Sequence, residues 1–243
     1  MYLFKLNAID STNSYLRQLS KSEDMEKWTV VTADYQTEGR GQKGAVWQSE
    51  RSKNLICSIL VKLDDFKARD QFLLNCAVSI GILNALNEYK LPKLKIKWPN
   101  DIMSVSKKLG GILIENTLMN DAINHSIIGI GINVNQLDFS EDLSMAVSMK
   151  QLINRDLDRD ILLHKIIESI QHQFDHIFTG KFEVLLRAYD QNLYRKGAAH
   201  MFQDQEGKMF MGIIKGVNPE GMLLVENDDE IVNVYNFKEI SYL

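Results

Sequence analysis

The chain is organised around the stretch Gln36-Thr37-Glu38-Gly39-Arg40-Gly41-Gln42-Lys43-Gly44-Ala45-Val46-Trp47, which follows an apolar run that predicts a strand. Glycine adopts positive φ freely and lets a ligand lie against bare backbone. Successive backbone N–H groups in such a loop form an anion-binding concavity, to which Arg40 and Lys43 add charge, and Trp47 offers a flat face for an adenine ring. An ordinary flexible loop with solvated charges has the same composition. The stretch fits neither the P-loop pattern nor the G-x-G-x-x-G dinucleotide pattern.

The composition is that of a soluble globular protein. The chain has 243 residues, 45% of them hydrophobic and 25% charged, which suits one main core and a small second domain. The net charge of -4 and the pI near 5.8 argue against a general nucleic-acid binder. Cys57 and Cys76 lie in apolar runs, which is typical of buried free thiols in a reducing compartment. The N-terminus lacks a signal-peptide pattern, and no apolar run approaches the ~20 residues that span a bilayer. We therefore expect a cytoplasmic protein without a membrane partner.

A polar cluster, Ser11-Thr12-Asn13, precedes a helical pattern whose apolar positions include Leu16 and Leu19. Side chains of these types cap helix N-termini, because they accept hydrogen bonds from the free N–H groups there. The same cluster could hold the carbonyl or urea group of a ligand, since one hydroxyl can cap while another faces a pocket. Both interpretations stay open.

The run Leu94–Asp101 alternates apolar and basic residues and then meets a proline. Alternation places its lysines on one face of a strand. Pro99 cannot make a further ladder bond, so Lys97 and the following Asn-Asp pair are expected at the end of the strand. Lysines also protect edge strands from aggregation, which is the alternative explanation. That alternative does not account for the Trp-Pro-Asn-Asp sequence that follows Lys97.

Glycines mark two further predicted strands. Gly110 and Gly111 suggest a bend where something approaches the backbone. In the β-branched run 126–134, Gly129 and Gly131 leave one face of the sheet bare, and Asn133 lies on that face by the period of two. Such a face is either a tight contact between sheet and helix or the floor of a site for a flat ligand.

Helical patterns and then short β runs occupy the second half of the chain. Strands are predicted at 29–33 and 54–61, and helices at 70–89, 148–154, 158–178 and 181–192. From about residue 193, short β runs alternate with turns, which predicts a small β-barrel-like unit. We therefore expect an α/β (α+β) protein with a mixed sheet, divided into domains 1–192 and 193–243.

Five motifs follow one another along the chain: Asp-Ser-Thr-Asn at 10–13, Gln36 with Gly39-Arg40-Gly41 and Trp47, Lys97-Trp98-Pro99-Asn100-Asp101, Gly110-Gly111-Ile112-Leu113, and Gly129-Ile130-Gly131-Ile132-Asn133. In this order they closely resemble the biotin–protein ligase (biotin–[acetyl-CoA-carboxylase] ligase) family. The resemblance covers nearly the whole chain, and the Gly-Arg-Gly and Lys-Trp-Pro-Asn-Asp blocks together are specific. It implies a class II synthetase-like catalytic domain over 1–192 that binds biotin and ATP, and an SH3-like β-barrel over 193–243.

The resemblance implies an enzyme with two half-reactions. Biotin and ATP, with Mg²⁺, give biotinyl-5′-AMP and pyrophosphate, and the ε-amine of one lysine on a biotin carboxyl carrier protein then displaces AMP. The residues agree, because the chain shows no Ser/His/Asp or Cys/His set and adenylation needs none. A carboxylate with a pKa near ~4 is already ionised at pH 7. Catalysis then reduces to positioning and to neutralising charge on the phosphates.

By matching positions, the resemblance also implies site residues, although no metal ligands. Biotin is expected to contact Ser11, Thr12, Asn13, Gln36, Gly39, Arg40, Gly41, Gln42, Lys97, Gly110, Gly111, Gly129 and Gly131. ATP is expected to contact Arg40, Lys43, Trp47, Lys97, Asn100 and Asn133. The catalytic set is Arg40 and Lys97, which would contact the carboxylate and later the acyl phosphate, with Asp101 as a candidate acceptor or orienter of the amine proton. A structural Asp that caps the turn is the other interpretation of Asp101.

The chain departs from the family pattern at one position of the glycine loop. Many members have Gly-Arg-Gly-Arg, whereas this chain has Gln42 in the last place, followed by Lys43. Glutamine keeps a donor but loses the charge that grips the adenylate. Either Lys43 supplies that charge, which we favour, or the enzyme releases its adenylate more readily.

Two other functions compete with this interpretation. A lipoate- or octanoate-protein ligase or transferase is related in fold, but the Arg-x-x-Gly-Gly-Gly block typical of that group is missing. A non-catalytic biotin or nucleotide sensor would not need Arg40 and Lys97. Because the Ser-Thr-Asn block begins at residue 11, we expect no N-terminal winged-helix domain and no DNA binding. Family members are monomers or dimers, so a homodimer stays open, and the carrier protein does not follow from the sequence.

Overall fold

Runs of Ile, Val and Leu build the central sheet, because branched side chains pack well on a pleated surface. The computed structural model describes residues 2–22 and 24–243, apart from the side chains of Lys43 and Asp64. Its first seven strands are β1 (Leu3–Leu6), β2 (Thr29–Ala33), β3 (Leu55–Lys67), β4 (Leu94–Lys97), β5 (Asp101–Ser104), β6 (Lys107–Met119) and β7 (Ala122–Ile132). They form one sheet in the order β1-β2-β3-β7-β6-β5-β4. β1 and β2 are parallel and all other neighbours are antiparallel, which confirms the expected mixed sheet.

One face of this sheet is covered by helices. The α-helices of the described residues are α1 (Thr12–Ser22), which lies on the opposite face, and α2 (Phe72–Asn87), α3 (Met149–Ile153), α4 (Arg159–Phe178) and α5 (Phe182–Gln191). Helix α2 is buried on nearly all sides because it lies between the sheet and the other helices of that layer. Gly81 of α2 allows a close contact with α4, since a Cβ on Gly81 would lie 2.7 Å from Ile170 Cα.

The opposite face of the sheet is covered only in part, by α1 and the glycine loop. Strand β7 shows how the residues alternate between the two faces. Its Ile128, Ile130 and Ile132 join the core under the helices, whereas Ile127 packs with Leu16 of α1. Gly129 and Gly131 therefore lie on the α1 face.

The chain ends in a second sheet, in the region where short β runs were predicted from about residue 193. Its strands are β8 (Ala199–Asp204), β9 (Met209–Val217), β10 (Leu223–Asn227), β11 (Val232–Tyr235) and β12 (Ile240–Tyr242). They are antiparallel in the order β11-β10-β9-β8-β12. Trp98 Nε1 donates to Gly221 O at 2.8 Å, and Tyr194 N donates to Ile96 O at 2.8 Å. These bonds join the second sheet to the β4 edge of the first.

Short strands account for most of the differences from the sequence prediction. Strands β1, β5 and β12 have three or four residues each, too few for a periodic signal. Strand β3 continues to Lys67 instead of ending at residue 61. Pro99 does end β4, but the chain then turns back as β5, so that Lys97 and Asp101 become cross-strand partners. No helix in the described part of the chain has the length and apolarity needed to span a membrane.

Candidate functional site

A cavity of about 690 Å³ opens on the α1 face of the main sheet and brings most of the predicted site residues together. Four parts of the chain supply its walls: the start of α1, the glycine loop, the central strands and the end of the second sheet. The predicted residues that line it are Ser11, Thr12, Asn13, Gln36, Arg40, Gly41, Gln42, Trp47, Lys97, Asn100, Asp101, Gly111, Gly129 and Gly131.

Three predicted residues do not line this cavity. Gly39 lets the loop fold on itself, since a Cβ there would lie 2.2 Å from Trp47 O. Gly110 serves packing within the sheet, because its Cβ would lie 2.5 Å from Ile132 Cδ1. Asn133 was expected against a nucleotide, but its side chain is buried and donates to Val147 O at 3.2 Å. The Lys43 side chain lies outside the described residues.

A network of neutral polar groups forms where α1 begins. Gln36 Oε1 accepts hydrogen bonds from Thr12 N at 2.8 Å and from Thr12 Oγ1 at 3.0 Å. Ser58 Oγ of β3 lies 2.7 Å from Thr12 Oγ1 and 2.5 Å from Asn13 Oδ1. Ser11 Oγ accepts from Ser14 N at 3.5 Å, so this side chain also has the expected capping role. We call Thr12, Asn13, Gln36 and Ser58 the polar cluster.

Glu115 of β6 ties the polar cluster to the glycine loop. Its Oε2 accepts from Asn13 Nδ2 at 2.8 Å and from Arg40 Nη2 at 3.0 Å, while Oε1 pairs with Arg17. Burial alone would raise the pKa of Glu115, but the hydrogen bonds from Asn13 and Arg17 and the charge of Arg40 outweigh it, so that the pKa lies below its usual value. Glu115 is therefore a carboxylate at neutral pH.

Two lysines stand near the β4–β5 turn. Asp101 Oδ1 pairs with Lys108 Nζ at 2.6 Å, and both residues line the cavity. Lys97 Nζ lies 4.8 Å from the ring centroid of Tyr242. Burial lowers the pKa of Lys97, and the nearby carboxylate of Asp101 opposes this only in part. Among the described side chains Lys97 makes no salt bridge.

Hydrogen bonds to Pro99 fix the turn between β4 and β5. Pro99 O accepts hydrogen bonds from Asn75 Nδ2 at 2.6 Å and from Tyr189 OH at 2.8 Å. Asn100 Nδ2 donates to Ile112 O at 2.7 Å, and Ile112 N donates back to Asn100 O at 3.1 Å. Asn100 thus lines the cavity, but its side-chain amide is hydrogen-bonded to strand β6.

The register of the sheet sets the length of the site. Cross-strand pairs place Lys97, Asp101, Gly111, Gly131 and Ile56 in one row over five neighbouring strands. At a strand spacing of about 4.8 Å, this row is roughly 19 Å long. Asn13 lies against Gly129, which is two residues from Gly131 on β7. The cavity can therefore hold an extended ligand with a neutral polar end and an anionic end.

Trp47 covers Gly131 and Asn13 covers Gly129, on the face that the sequence left as either a tight contact or the floor of a ligand site. A Cβ on Gly131 would lie 2.4 Å from Trp47 Cε2, and one on Gly129 would lie 2.5 Å from Asn13 Oδ1. These glycines thus make room for side chains of the protein itself. The indole Nε1 of Trp47 is buried and has no hydrogen-bond partner within the described residues.

We expect Gly131→Ala to destabilise the fold by about 1–3 kcal/mol, because the new methyl group forces Trp47 and its loop away from the sheet. Gly111→Ala is the matched control on the same row, since its Cβ would meet nothing closer than 3.5 Å and is expected to change the free energy of unfolding by less than about 0.5 kcal/mol. Urea titration of both variants measures the difference. Equal stability of the two would show that Trp47 does not pack as described.

The end of the second sheet also contributes to the cavity, which the sequence analysis missed. Its lining includes Phe237, Lys238, Ile240, Ser241 and Tyr242. Ser58, Lys108 and Glu115 were missed as well. Ser58 is a single hydroxyl within an apolar strand, which is the one signal that could have pointed to it.

The chemistry available in the cavity is binding and charge neutralisation. Arg40, Lys97 and Lys108 supply cations, and the polar cluster supplies hydroxyl and amide groups already held in place. Cys57 also lines the cavity, but burial raises its pKa to about 12, so it is a neutral thiol. Within residues 2–22 and 24–243 no group of His, Cys, Asp and Glu side chains is arranged to hold a metal ion.

Comparison with known proteins gives consistent matches. The sequence pattern of the Biotin/lipoate A/B protein ligase family matches residues 6–133. The chain is 29% identical over 238 residues to the Bifunctional ligase/repressor BirA of Bacillus subtilis, which is 97% of this chain and 72% of that protein. It is 27% identical over 164 residues to the Biotin–[acetyl-CoA-carboxylase] ligase of Mycobacterium tuberculosis, 66% of this chain and 59% of that protein. The solved structure of a biotin protein ligase from Aquifex aeolicus in complex with biotin and ATP aligns with a TM-score of 0.82 at 26% identity, over 99% of this chain and 97% of that chain.

Proposed function

This chain belongs to the biotin/lipoate A/B protein ligase family, and we propose that it is a biotin–protein ligase that activates biotin with ATP and transfers it to a lysine of a carrier protein. The observation that carries the proposal is one cavity lined both by Thr12, Asn13 and Gln36 of the polar cluster and by the cations Arg40, Lys97 and Lys108. Its volume lies within the ~300–1,000 Å³ typical of small-molecule sites. The Aquifex aeolicus relative binds biotin and ATP, which supports the same pair of ligands here.

The polar cluster suits the ureido head of biotin. A ureido group is neutral and presents one carbonyl acceptor beside two N–H donors, and the hydroxyl of Thr12 in the cavity wall can act as donor or acceptor. Hydrogen bonds with Gln36 and Ser58 hold this hydroxyl in place before a ligand arrives. Less side-chain entropy is therefore lost on binding.

In the first half-reaction, a carboxylate oxygen of biotin attacks the α-phosphorus of ATP, and the bond from that phosphorus to the bridging oxygen of the β-phosphate breaks. One P–O bond forms, one breaks and pyrophosphate leaves, so no proton has to move. Arg40, Lys97 and Lys108 neutralise the charge that gathers on the phosphates. Mg²⁺ would enter as the complex with ATP and add its charge to theirs.

In the second half-reaction, the ε-amine of the carrier lysine attacks the biotinyl carbonyl, and AMP leaves with the bonding electrons. The amine must lose a proton, because a free lysine has a pKa of about 10.4. Asp101 is the candidate acceptor or orienter. Its ion pair with Lys108 places that carboxylate beside the cations that hold the phosphate.

Release of pyrophosphate on addition of biotin and ATP tests the proposal directly. A biotin–protein ligase releases pyrophosphate with biotin, whereas a lipoate ligase does so only with lipoate in a parallel reaction. A protein that binds biotin or nucleotide but releases no pyrophosphate would be a sensor. Transfer is then followed as loss of biotinyl-5′-AMP when a carboxyl carrier domain is added.

We expect the loop 37–46 to be mobile without ligand, because glycine loses the most conformational freedom on ordering. Biotin with ATP should order it, as a binding loop closes over charge. Hydrogen exchange should therefore be fast at Arg40 and Gln42–Gly44 in the free enzyme and slow in the complex. The amides of Thr37 and Glu38 are the internal control, since they donate to Ile9 O and Asp10 O at 2.9 Å. Uniform protection of the whole loop in the free enzyme would contradict this expectation.

The division of labour within the chain is also part of the proposal. Residues 1–192 would form the catalytic domain, and residues 193–243, which include the five-stranded second sheet, would form a small SH3-like unit. The cavity draws residues 237–242 into the site. Both parts are thus expected to be required for adenylation.

A further inference from the structure

Glu115 is placed to act on Arg40 although it does not line the ligand cavity. It lies on β6 opposite Ile127 of β7, in a fully paired region of the sheet. Its Oε2 accepts a hydrogen bond from Asn13 at 2.8 Å and from Arg40 at 3.0 Å. One oxygen atom is thus shared by the polar cluster and by the cation of the glycine loop.

We propose that Glu115 is a positioning residue that holds the Arg40 guanidinium at the cavity wall, so that the biotinyl-adenylate is retained until transfer. The inference rests on the proposed function, because it concerns the intermediate of that reaction. It adds a residue to the site that no local motif suggested.

The backbone around Arg40 explains why an outside partner is needed. Gly39 and Gly41 flank Arg40, and glycine leaves the backbone conformation weakly specified. Without a fixed partner, the long Arg40 side chain would lose the conformational entropy of several rotatable bonds when it binds an anion. Glu115 supplies a fixed partner from a rigid strand.

The geometry leaves Arg40 able to bind an anion while it is paired. A guanidinium has five N–H donors, and the contact with Glu115 uses one N–H of Nη2. Arg40 lines the ligand cavity in this paired state. Glu115 therefore orients the cation without competing for all of its donors.

Asn13 and Arg17 keep the Glu115 carboxylate in place. Asn13 is 3% exposed and sits against Gly129, where a Cβ would collide with it. Arg17 binds the second carboxylate oxygen from outside the cavity. The side chains of Arg40 and Glu115 are 38% and 21% exposed. Their ion pair is therefore less weakened by solvent than a fully exposed pair.

Glu115→Gln tests the proposal, because glutamine keeps an acceptor for Asn13 but removes the charge that binds Arg40. Enzyme carrying biotinyl-5′-AMP made from labelled ATP is separated from free nucleotide, and the release of the adenylate is timed. We expect release to be about tenfold faster than in the wild type, which corresponds to ~1.4 kcal/mol. The KM for biotin should change by less than about twofold while kcat for pyrophosphate release falls, since the polar cluster is intact.

Two further variants separate positioning from general stability. In an Arg40→Met background, Glu115→Gln should add less than about twofold to the release rate, because its effect acts through Arg40. Glu226→Gln is the matched control, since it makes the same change at a carboxylate of similar exposure that pairs with Lys215 and does not line the cavity, and it should leave the release rate within about twofold. Should Glu115→Gln fail to fold, Glu115→Asp carries the same cycle, since its shorter side chain keeps the charge but moves it away from Arg40.

The possible outcomes are distinct. Wild-type release rates for Glu115→Gln, an undiminished effect in the Arg40→Met background, or an equal effect of Glu226→Gln would each overturn the positioning role. A wild-type enzyme that releases no pyrophosphate with biotin and ATP would instead overturn the proposed function.

Discussion

Lys97→Met is expected to slow pyrophosphate release by about 10²–10³-fold, the loss typical when one donor is removed from a charge-stabilising site. The ammonium group lies in the cavity, partly buried against Tyr242 and without a salt bridge among the described side chains. Its charge is thus available to a phosphate or carboxylate. Stopped-flow detection of pyrophosphate with saturating biotin and ATP measures the effect.

Lys95→Met is the matched control for this prediction. Lys95 lies on the same strand and the same face two residues earlier, but its Nζ donates to Gln191 O at 3.1 Å and it does not line the cavity. Pyrophosphate release should stay within about twofold of the wild type. Comparable losses in the two lysine variants would show that strand β4, and not the Lys97 charge, is what matters.

The dependence on pH provides an independent check on Lys97. Because burial lowers the pKa of Lys97, its ammonium loses a proton at a lower pH than an ordinary lysine, whose pKa is about 10.4. Activity that needs the Lys97 cation should therefore decline at a lower pH than the ordinary lysine pKa of about 10.4 would give. Lys97→Arg should move this decline to higher pH, since a guanidinium stays charged.

Asp101→Asn is expected to slow transfer of biotin to the carrier by about 10²–10⁴-fold, the contribution typical of a positioned proton acceptor. Adenylate formation should fall much less, because removing a negative charge beside Lys97 and Lys108 does not weaken their hold on anionic phosphates. A single-turnover experiment separates the two steps: biotinyl-5′-AMP is formed first and a carrier domain is then added.

Two comparisons decide what Asp101 does. Asp121→Asn removes an exposed carboxylate that lies 3.7 Å from Lys67 on a surface turn, and it should leave both half-reactions unchanged. Lys108→Gln tests whether Asp101 acts only by orienting Lys108, in which case the two variants would impair the same half-reaction and their effects would not add. Full transfer by Asp101→Asn would refute the proton-acceptor hypothesis.

Local motifs indicated the cavity residues at the start of α1, in the glycine loop and at the end of β4, but not those at the end of the second sheet. Arg40 and Lys97 stand out because positive charge beside glycine or proline has a recognisable sequence context. Ser11, Thr12 and Asn13 stand out because polar residues collect at a helix start. In each case the chemical reason and the sequence signal lie within a few residues of each other.

Contacts between distant segments could not be predicted in this way. Glu115 is separated from Arg40 by 75 residues and from Asn13 by 102, and Ser58 is 46 residues from Thr12. Only the pairing of β3, β6 and β7 brings them together. The periodicity argument also failed at Asn133, because β7 ends at Ile132 and the chain there turns to meet Val147.

The cavity is closed at one side by residues 237–242 and at another by residues 11–13. Domains generally fold as units, and a chain leaves the ribosome with its N-terminal part first. A chain still attached to the ribosome therefore lacks the final wall of this cavity until the last strand emerges. Vitamin and nucleotide can stabilise the finished protein, but they cannot act as a template for its early folding.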